Sequence, residues 1–234
     1  MREVRFEDLG IMRYKEAWDY QEVLFDEIVQ TKSSNRKVEE AERVPTVDKL
    51  LFVHHPHVYT LGKSGKVEHL LISEERMREE GIDWFKINRG GDITYHGPGQ
   101  LVGYPIFDLD EHFTDIHKYL RYLEEAIILT LADYGLKGER SPGETGVWLD
   151  VGTPMARKIC AMGVRASRWV TMHGFAFNIN VDLKYFDYIV PCGIADKAVA
   201  SLDVELGYVP DMDEVKARVK GHLADLFNVT FVEK

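Results

Sequence analysis

The sequence predicts an α+β protein, and three observations carry that class. Segments with period-two alternation of apolar and polar residues come in runs, and helical patterns fall between the runs. No strict strand–helix alternation and no internal repeat is present. The most glycine-rich stretch, RGGDITYHGPGQ at 89–100, leads into another strand-like segment and not into a helix, so it opens no βαβ unit.

The elements follow in order. EVRFED alternates apolar and charged residues and predicts a short strand. Over 11–31, Tyr14, Trp18, Leu24, Phe25 and Ile28 recur at near-helical spacing and predict an amphipathic helix. Residues 32–47 are polar and almost aperiodic, which predicts an exposed loop. LLFVHH is a strand that stops at Pro56, and VYTLG is an extended piece that ends at Gly62. SEERMREE is a short helix with Ser73 as its N-cap. DWFKIN leads into the glycine stretch as a strand, and LVGYPIFDL leaves it as another. Residues 114–134 are helical, closed by Gly135. TGVWLDV, ARKICAMGVRA and TMHGFAFNINV predict a three-stranded meander. DEVKARVKGHLADLF is a final helix and VTFVEK a last strand.

Composition narrows the function. With 234 residues, 45% hydrophobic and 29% charged, the chain suits one soluble domain spanning 1–234. A formal net charge of -10 argues against a general nucleic-acid binder, because phosphate contacts need a basic surface. Two cysteines, Cys160 and Cys192, are too few for a disulfide framework and fit a reducing compartment. MREVRFEDLGIMRYKEAW lacks the apolar core of a signal peptide, and no run approaches the roughly 20 apolar residues that cross a bilayer. The expectation is a cytoplasmic protein with neither a nucleic-acid nor a membrane partner.

The glycine stretch is not a phosphate loop, which needs GxxxxGK[ST] before a helix, nor a dinucleotide fingerprint, whose spacing it lacks. As backbone it reads as a wide hairpin between two strands. That leaves Arg89, Thr94, Tyr95, His96 and Gln100 unexplained, and glycines also let backbone approach a ligand closely. His54, His55, His57, His96 and His173 show no metal-ligand spacing, Pro56 interrupts HHPH, and there is no CxxC. No metal is expected.

Cys192 lies between a proline and a glycine in IVPCGIADKA, a turn of the kind that presents reactive groups. Cys160 lies inside the apolar strand ARKICAMGV, where cysteine is usually a small buried hydrophobe. Cys192 is therefore the stronger nucleophile candidate. A nucleophilic thiol needs a base or a cation nearby, and His96, His173 and Lys158 are the candidates. Lys158 flanks an apolar strand, a partly dry setting, although a solvated surface lysine is the commoner case.

RGGDITYHGPGQLVGYPIFDL, ARKICAMGVRASRWVTMHGFAFNINVD and IVPCGI, with HPHVYTLGKSG upstream, resemble the lipoyl(octanoyl) transferases. These are octanoyl-acyl-carrier-protein:protein N-octanoyltransferases, and the match runs in order from about residue 50 to 205. The resemblance implies a mixed sheet flanked by helices, as in the catalytic domain of biotin and lipoate protein ligases. It implies transfer of an octanoyl or lipoyl group from the thioester of acyl carrier protein to a lysine of an apo lipoyl domain. Those domains belong to 2-oxo acid dehydrogenases and to the glycine cleavage H protein. The reaction would be the first step of endogenous protein lipoylation and would use no cofactor.

By the same resemblance, Cys192 matches the acyl-thioester cysteine and Lys158 the lysine that tunes it. Substrate-binding positions match Arg89, Gly90, Gly91, Asp92, Ile93, Thr94, Tyr95 and His96. Further matches are Ala161, Met162 and Gly163, then Gly174, Phe175 and Ala176. Tyr95, Val164 and Phe175 are candidates for an apolar slot. Cys160 departs from the small residue expected beside Lys158. Lys63, Lys66, Arg89, Arg157, Arg165 and Arg168 are candidates for a basic face that receives an acidic carrier protein. Two other readings remain open: an ATP-dependent lipoate protein ligase, and a non-catalytic carrier-protein-binding module.

Overall fold

The computed structural model describes residues 1–190 and 198–233. Strand β1 (Arg2–Ile11) leads into helix α1 (Tyr14–Asn35), then β2 (Lys49–His54) and β3 (Val58–Leu61). Helix α2 (Glu74–Glu79), β4 (Asp83–Lys86), β5 (Ile93–His96) and β6 (Gln100–Ile106) follow. Next come α3 (Ile116–Asp133), β7 (Val147–Leu149), β8 (Arg157–Ser167) and β9 (Val170–Asn178). The chain ends through β10 (Ala198–Val199), α4 (Leu202–Leu206), α5 (Met212–Phe227) and β11 (Val229–Glu233).

The large sheet runs β10-β8-β9-β6-β2-β1-β11, with β7 paired to β8. It is mixed: β1 is parallel to β2 and β11, β10 is parallel to β8, and β2, β6, β9 and β8 are antiparallel in turn. Strand β2 shows why such a sheet needs helices on both faces. Leu50 and Phe52 pack toward α3 and α5, beside Leu123, Ile127, Val219 and Leu223. Leu51 and Val53 pack the other way, beside Leu24, Phe25 and Ile28 of α1. A strand buried on both faces is a continuous apolar run, which is how LLFV reads. Side-chain caps start α3, α5 and α2: Asp115 accepts from Lys118 N (2.9 Å), Asp211 from Glu214 N (2.9 Å) and Ser73 from Arg76 N (3.2 Å).

Two expectations change. Helix α1 continues to Asn35, so the predicted loop at 32–47 begins as a helical turn. Lys32 lies on the buried face of that turn, paired with Asp108 and, at 2.7 Å, with Asp110. Thr46 is also buried, whereas most of the intervening segment is exposed. The glycine stretch is not a hairpin between its flanking strands. A second sheet, β4-β3-β5, takes β4 and part of the stretch itself as β5, while β6 joins the large sheet. No described helix is long and apolar enough to cross a membrane.

Candidate active site

The glycine stretch is stitched between the end of β3 and the middle of β8. Lys63 N donates to Arg89 O (2.9 Å), Ser64 N to Gly91 O (3.1 Å) and Gly90 N to Val164 O (3.1 Å). This close approach needs glycine on both sides. A Cβ on Gly62 would lie 2.3 Å from Gly91 O, and one on Gly163 would lie 2.6 Å from Arg89 Nη1 and 2.7 Å from Gly90 O. The Arg89 guanidinium is buried and donates to Gly90 O (2.7 Å) and Asp92 O (2.8 Å), so it shapes the loop from within. The Asp92 carboxylate accepts from Ile93 N (2.7 Å) and meets His69 Nδ1 at 2.6 Å.

Two adjoining cavities open on this loop. The larger, about 450 Å³, is walled by Gly90, Gly91, Asp92 and Ile93, by Gly143, Glu144 and Thr145, and by Lys158 and Val164 of β8. The smaller, about 30 Å³, reaches Tyr14, His96, Tyr104, His173, Gly174, Phe175 and Ala176. Arg89, Thr94, Ala161, Met162 and Gly163 line both. The sequence-matched positions on three separate segments therefore converge, because β5, β8 and β9 all present residues to one space. Tyr95 is the exception. It alternates with Thr94 and His96 along β5, so its ring turns into the core of the small sheet. There its hydroxyl meets His57 Nδ1 at 2.6 Å and its ring stacks on Tyr185 at 5.2 Å. That placement removes Tyr95 from the candidate acyl slot.

Burial decides which groups carry charge. It pushes His96 and His173 down to about 3, with neighbouring His55 and Arg89, respectively, adding to the effect. Both imidazoles are neutral near pH 7, and neither is a ready cation for a thiolate. His96 Nδ1 meets Gln100 Oε1 at 2.8 Å, and its ring stacks on Tyr14. Neither His173 ring nitrogen has a hydrogen-bond partner among the described residues. Burial also pushes the Cys160 thiol up, and its fully buried side chain belongs to the main core. Cys160 is thus a core residue whose thiol is held protonated.

Lys158 is half-buried, with Nζ 4.6 Å from the centre of the Trp148 ring. Cys192 lies outside the described residues. The chain re-enters the described fold at β10, where Val199 pairs with Lys158 and lines the larger cavity. Three of the expected basic docking residues are already engaged. Arg89 is buried, Arg157 makes a two-pronged contact with Glu205 (2.7 and 2.6 Å), and Arg165 contacts Glu22 (2.7 and 3.0 Å). Lys63, Lys66 and Arg168 remain exposed.

Sequence reasoning missed Tyr14, Glu124 and Trp148. Glu124 left a usable signal: a carboxylate within the apolar stripe of α3, where burial demands partners. Tyr14 left none, because its place beside His96 depends on how α1 crosses the sheet.

A mixed sheet that clamps a glycine loop over an apolar cavity with a lysine in its wall defines a catalytic domain of the lipoate ligase type. The same fold occurs in a chain from an archaeal lipoylation system of Thermoplasma acidophilum, a bipartite lipoate protein ligase with its E2 lipoyl domain. The TM-score is 0.72 at 20% identity, covering 100% of this chain and 87% of that one. The model of the lipoyl protein ligase A/B catalytic domain matches residues 13–224, and the chain belongs to that family. It is 66% identical over 227 residues to the octanoyltransferase of Christiangramia forsetii, covering 97% of this chain and 96% of that protein. Identity to the octanoyltransferase of Flavobacterium johnsoniae is 63% over 232 residues, covering 99% of each.

Proposed function

We propose that the chain is an octanoyltransferase of protein lipoylation that works through an acyl-cysteine at Cys192. The donor is the octanoyl thioester of acyl carrier protein. The acceptor is a lysine of an apo lipoyl domain, including that of the glycine cleavage H protein. The Cys192 thiolate attacks the thioester carbonyl, the carbon–sulfur bond to the carrier breaks, and the carrier thiol leaves with a proton. The acceptor amine then attacks the acyl-cysteine, an amide forms, and Cys192 is released as thiolate. Exchange of one thioester for another needs no ATP, and the amide product is the more stable bond.

In this reading Lys158 takes the thiol proton and later that of the amine. Backbone N–H groups near the reacting carbonyl stabilise the oxyanion. Arg89 and the glycines hold the loop against which the thioester lies, and Met162 and Phe175 border the octanoyl chain. Burying the six CH₂ groups and the terminal methyl at about 0.8 kcal/mol each bounds chain recognition at about 6 kcal/mol. The observation that carries the reading is the larger cavity, where Lys158 faces the glycine loop next to an apolar strand wall. High identity to octanoyltransferases over nearly the whole chain supports the same activity. The substrates and the two-cysteine composition fit the cytoplasm.

The test is transfer to an apo lipoyl domain in the absence of ATP. The octanoyl carrier thioester should give octanoyl-lysine, and free octanoate should not. Transfer only from free octanoate with ATP would make the chain a lipoate-type ligase.

A further inference from the structure

We propose that Trp148 and Glu124 are positioning residues that set the Lys158 side chain. The inference rests on the reading of Lys158 as the proton-transfer group. A lysine side chain has four freely rotating bonds, and a misplacement of about 1 Å at a reacting group can cost about 100-fold in rate. Something must therefore hold it, and β7 is built to do so.

Trp148 stands directly opposite Lys158 in the antiparallel β7–β8 pair, where side chains share a face. The register shifts between Val147 and Trp148, an irregularity of the kind that re-aims a side chain. The buried indole presents its face to Lys158 Nζ at 4.6 Å. Trp148 is itself locked by two backbone hydrogen bonds with Glu139, at 2.8 and 2.9 Å.

Gly146 completes the support. Its φ is +116°, and a Cβ there would meet Cys160 O at 2.5 Å and lie 3.6 Å from Lys158 Cδ. The Gly146 backbone thus packs closely on β8 at Cys160, and any side chain there would crowd the lysine stem. Its N–H donates to Glu124 Oε1 at 3.0 Å. Glu124 is fully buried in α3, and its other oxygen holds Arg121 (2.8 Å) and Arg140 (3.0 Å). One carboxylate therefore fixes both ends of the 140–146 segment. Three residues of that segment, Gly143, Glu144 and Thr145, wall the larger cavity. Helix α3 thus braces the cavity wall through Gly146, and Gly146 leads directly into β7, where Trp148 faces Lys158.

The test is a double-mutant cycle in octanoyl transfer from a small octanoyl thioester to an apo lipoyl domain. Trp148→Leu should lower kcat by about 2- to 30-fold, the range of a cation–π contact of about 0.5–2 kcal/mol, with KM little changed. Trp148→Phe, which keeps a ring face, should recover most of the loss. In a Lys158→Ala background, Trp148→Leu should change nothing further. Glu124→Gln keeps an acceptor for Gly146 N–H and should lose less kcat than Glu124→Ala. Thermal midpoints identify any variant that fails to fold, and if Trp148→Leu is one, Trp148→Met, an unbranched apolar side chain without a ring face, takes its place in the cycle with Lys158→Ala. An unchanged kcat in Trp148→Leu, or an equal loss with and without Lys158, overturns the positioning role alone. Full activity of Lys158→Ala instead overturns the reading of Lys158 on which the role depends.

Discussion

His96 and His173 line the smaller cavity and His55 packs edge-on against His96, all three imidazoles held neutral chiefly by burial: His55 down to about 4, the other two to about 3. An unfolded histidine titrates near 6.5, so between about pH 6.5 and pH 3–4 the unfolded chain binds protons that the folded chain excludes. Stability from these residues is complete above about pH 6.5 and is lost as pH falls through that window. His55 allows a clean test, since Nδ1 contacts Met12 O and Nε2 contacts the Tyr104 hydroxyl, both at 2.8 Å. His55→Gln should flatten the fall in denaturant-unfolding free energy between pH 7 and pH 4.5 by up to about 1.4 kcal/mol per pH unit. Parallel slopes for the two proteins would mean that His55 is charged in the fold. At this scale the sequence was informative about the cysteines, because an apolar strand around Cys160 already implies a buried thiol. It was uninformative about the histidines. Five were candidates for catalysis or metal binding, and only the tertiary packing shows how deeply His55, His96 and His173 are dehydrated.

The meander β7–β8–β9 was legible because local alternation defines it, and α3 and α5 because their apolar periodicity is sustained, with Gly135 closing α3; the capping aspartates Asp115 and Asp211 emerged only in the structure. The glycine stretch was legible as a ligand-facing loop but not as the carrier of β5, whose partner β3 lies more than thirty residues earlier. A four-residue strand has no periodicity to read until its neighbour is known. The close approach between the stretch and β8 gives a prediction for the element as a unit. Gly163→Ala puts a methyl within 2.6–2.7 Å of Arg89 Nη1 and Gly90 O, so loop and strand must separate. The expected outcome is about 1–3 kcal/mol of lost stability with a raised KM for the octanoyl donor. Differential scanning calorimetry with steady-state kinetics checks both; a variant with unchanged midpoint and KM would show that the seam is soft.

For the whole molecule, the proposed donor is an acidic carrier protein, and a chain with a net charge of -10 would have to receive it on a local basic face. With Arg157 and Arg165 already paired to carboxylates, the exposed Lys63 and Lys66, next to the glycine loop, become the docking candidates. Raising salt from 0.1 M to 1 M shortens the Debye length from about 10 Å to about 3 Å. The kcat/KM for octanoyl carrier protein should fall accordingly, and that for a small octanoyl thioester should hardly change. Lys63→Glu with Lys66→Glu should reproduce the loss at low salt, and equal salt sensitivity for both donors would remove the docking role. The α+β class and the convergence of the matched segments on one cavity were legible because long motifs keep their order. The basic face was not, since a sequence does not say which arginines are already bound within the fold. The central claim, transfer through Cys192, is tested most directly by intact-protein mass spectrometry after mixing with octanoyl carrier protein and no acceptor. One octanoyl group should appear on Cys192, survive in Cys160→Ala, vanish in Cys192→Ser and discharge on adding an apo lipoyl domain. Undiminished turnover by Cys192→Ser, or an adduct located on Cys160, would contradict the account.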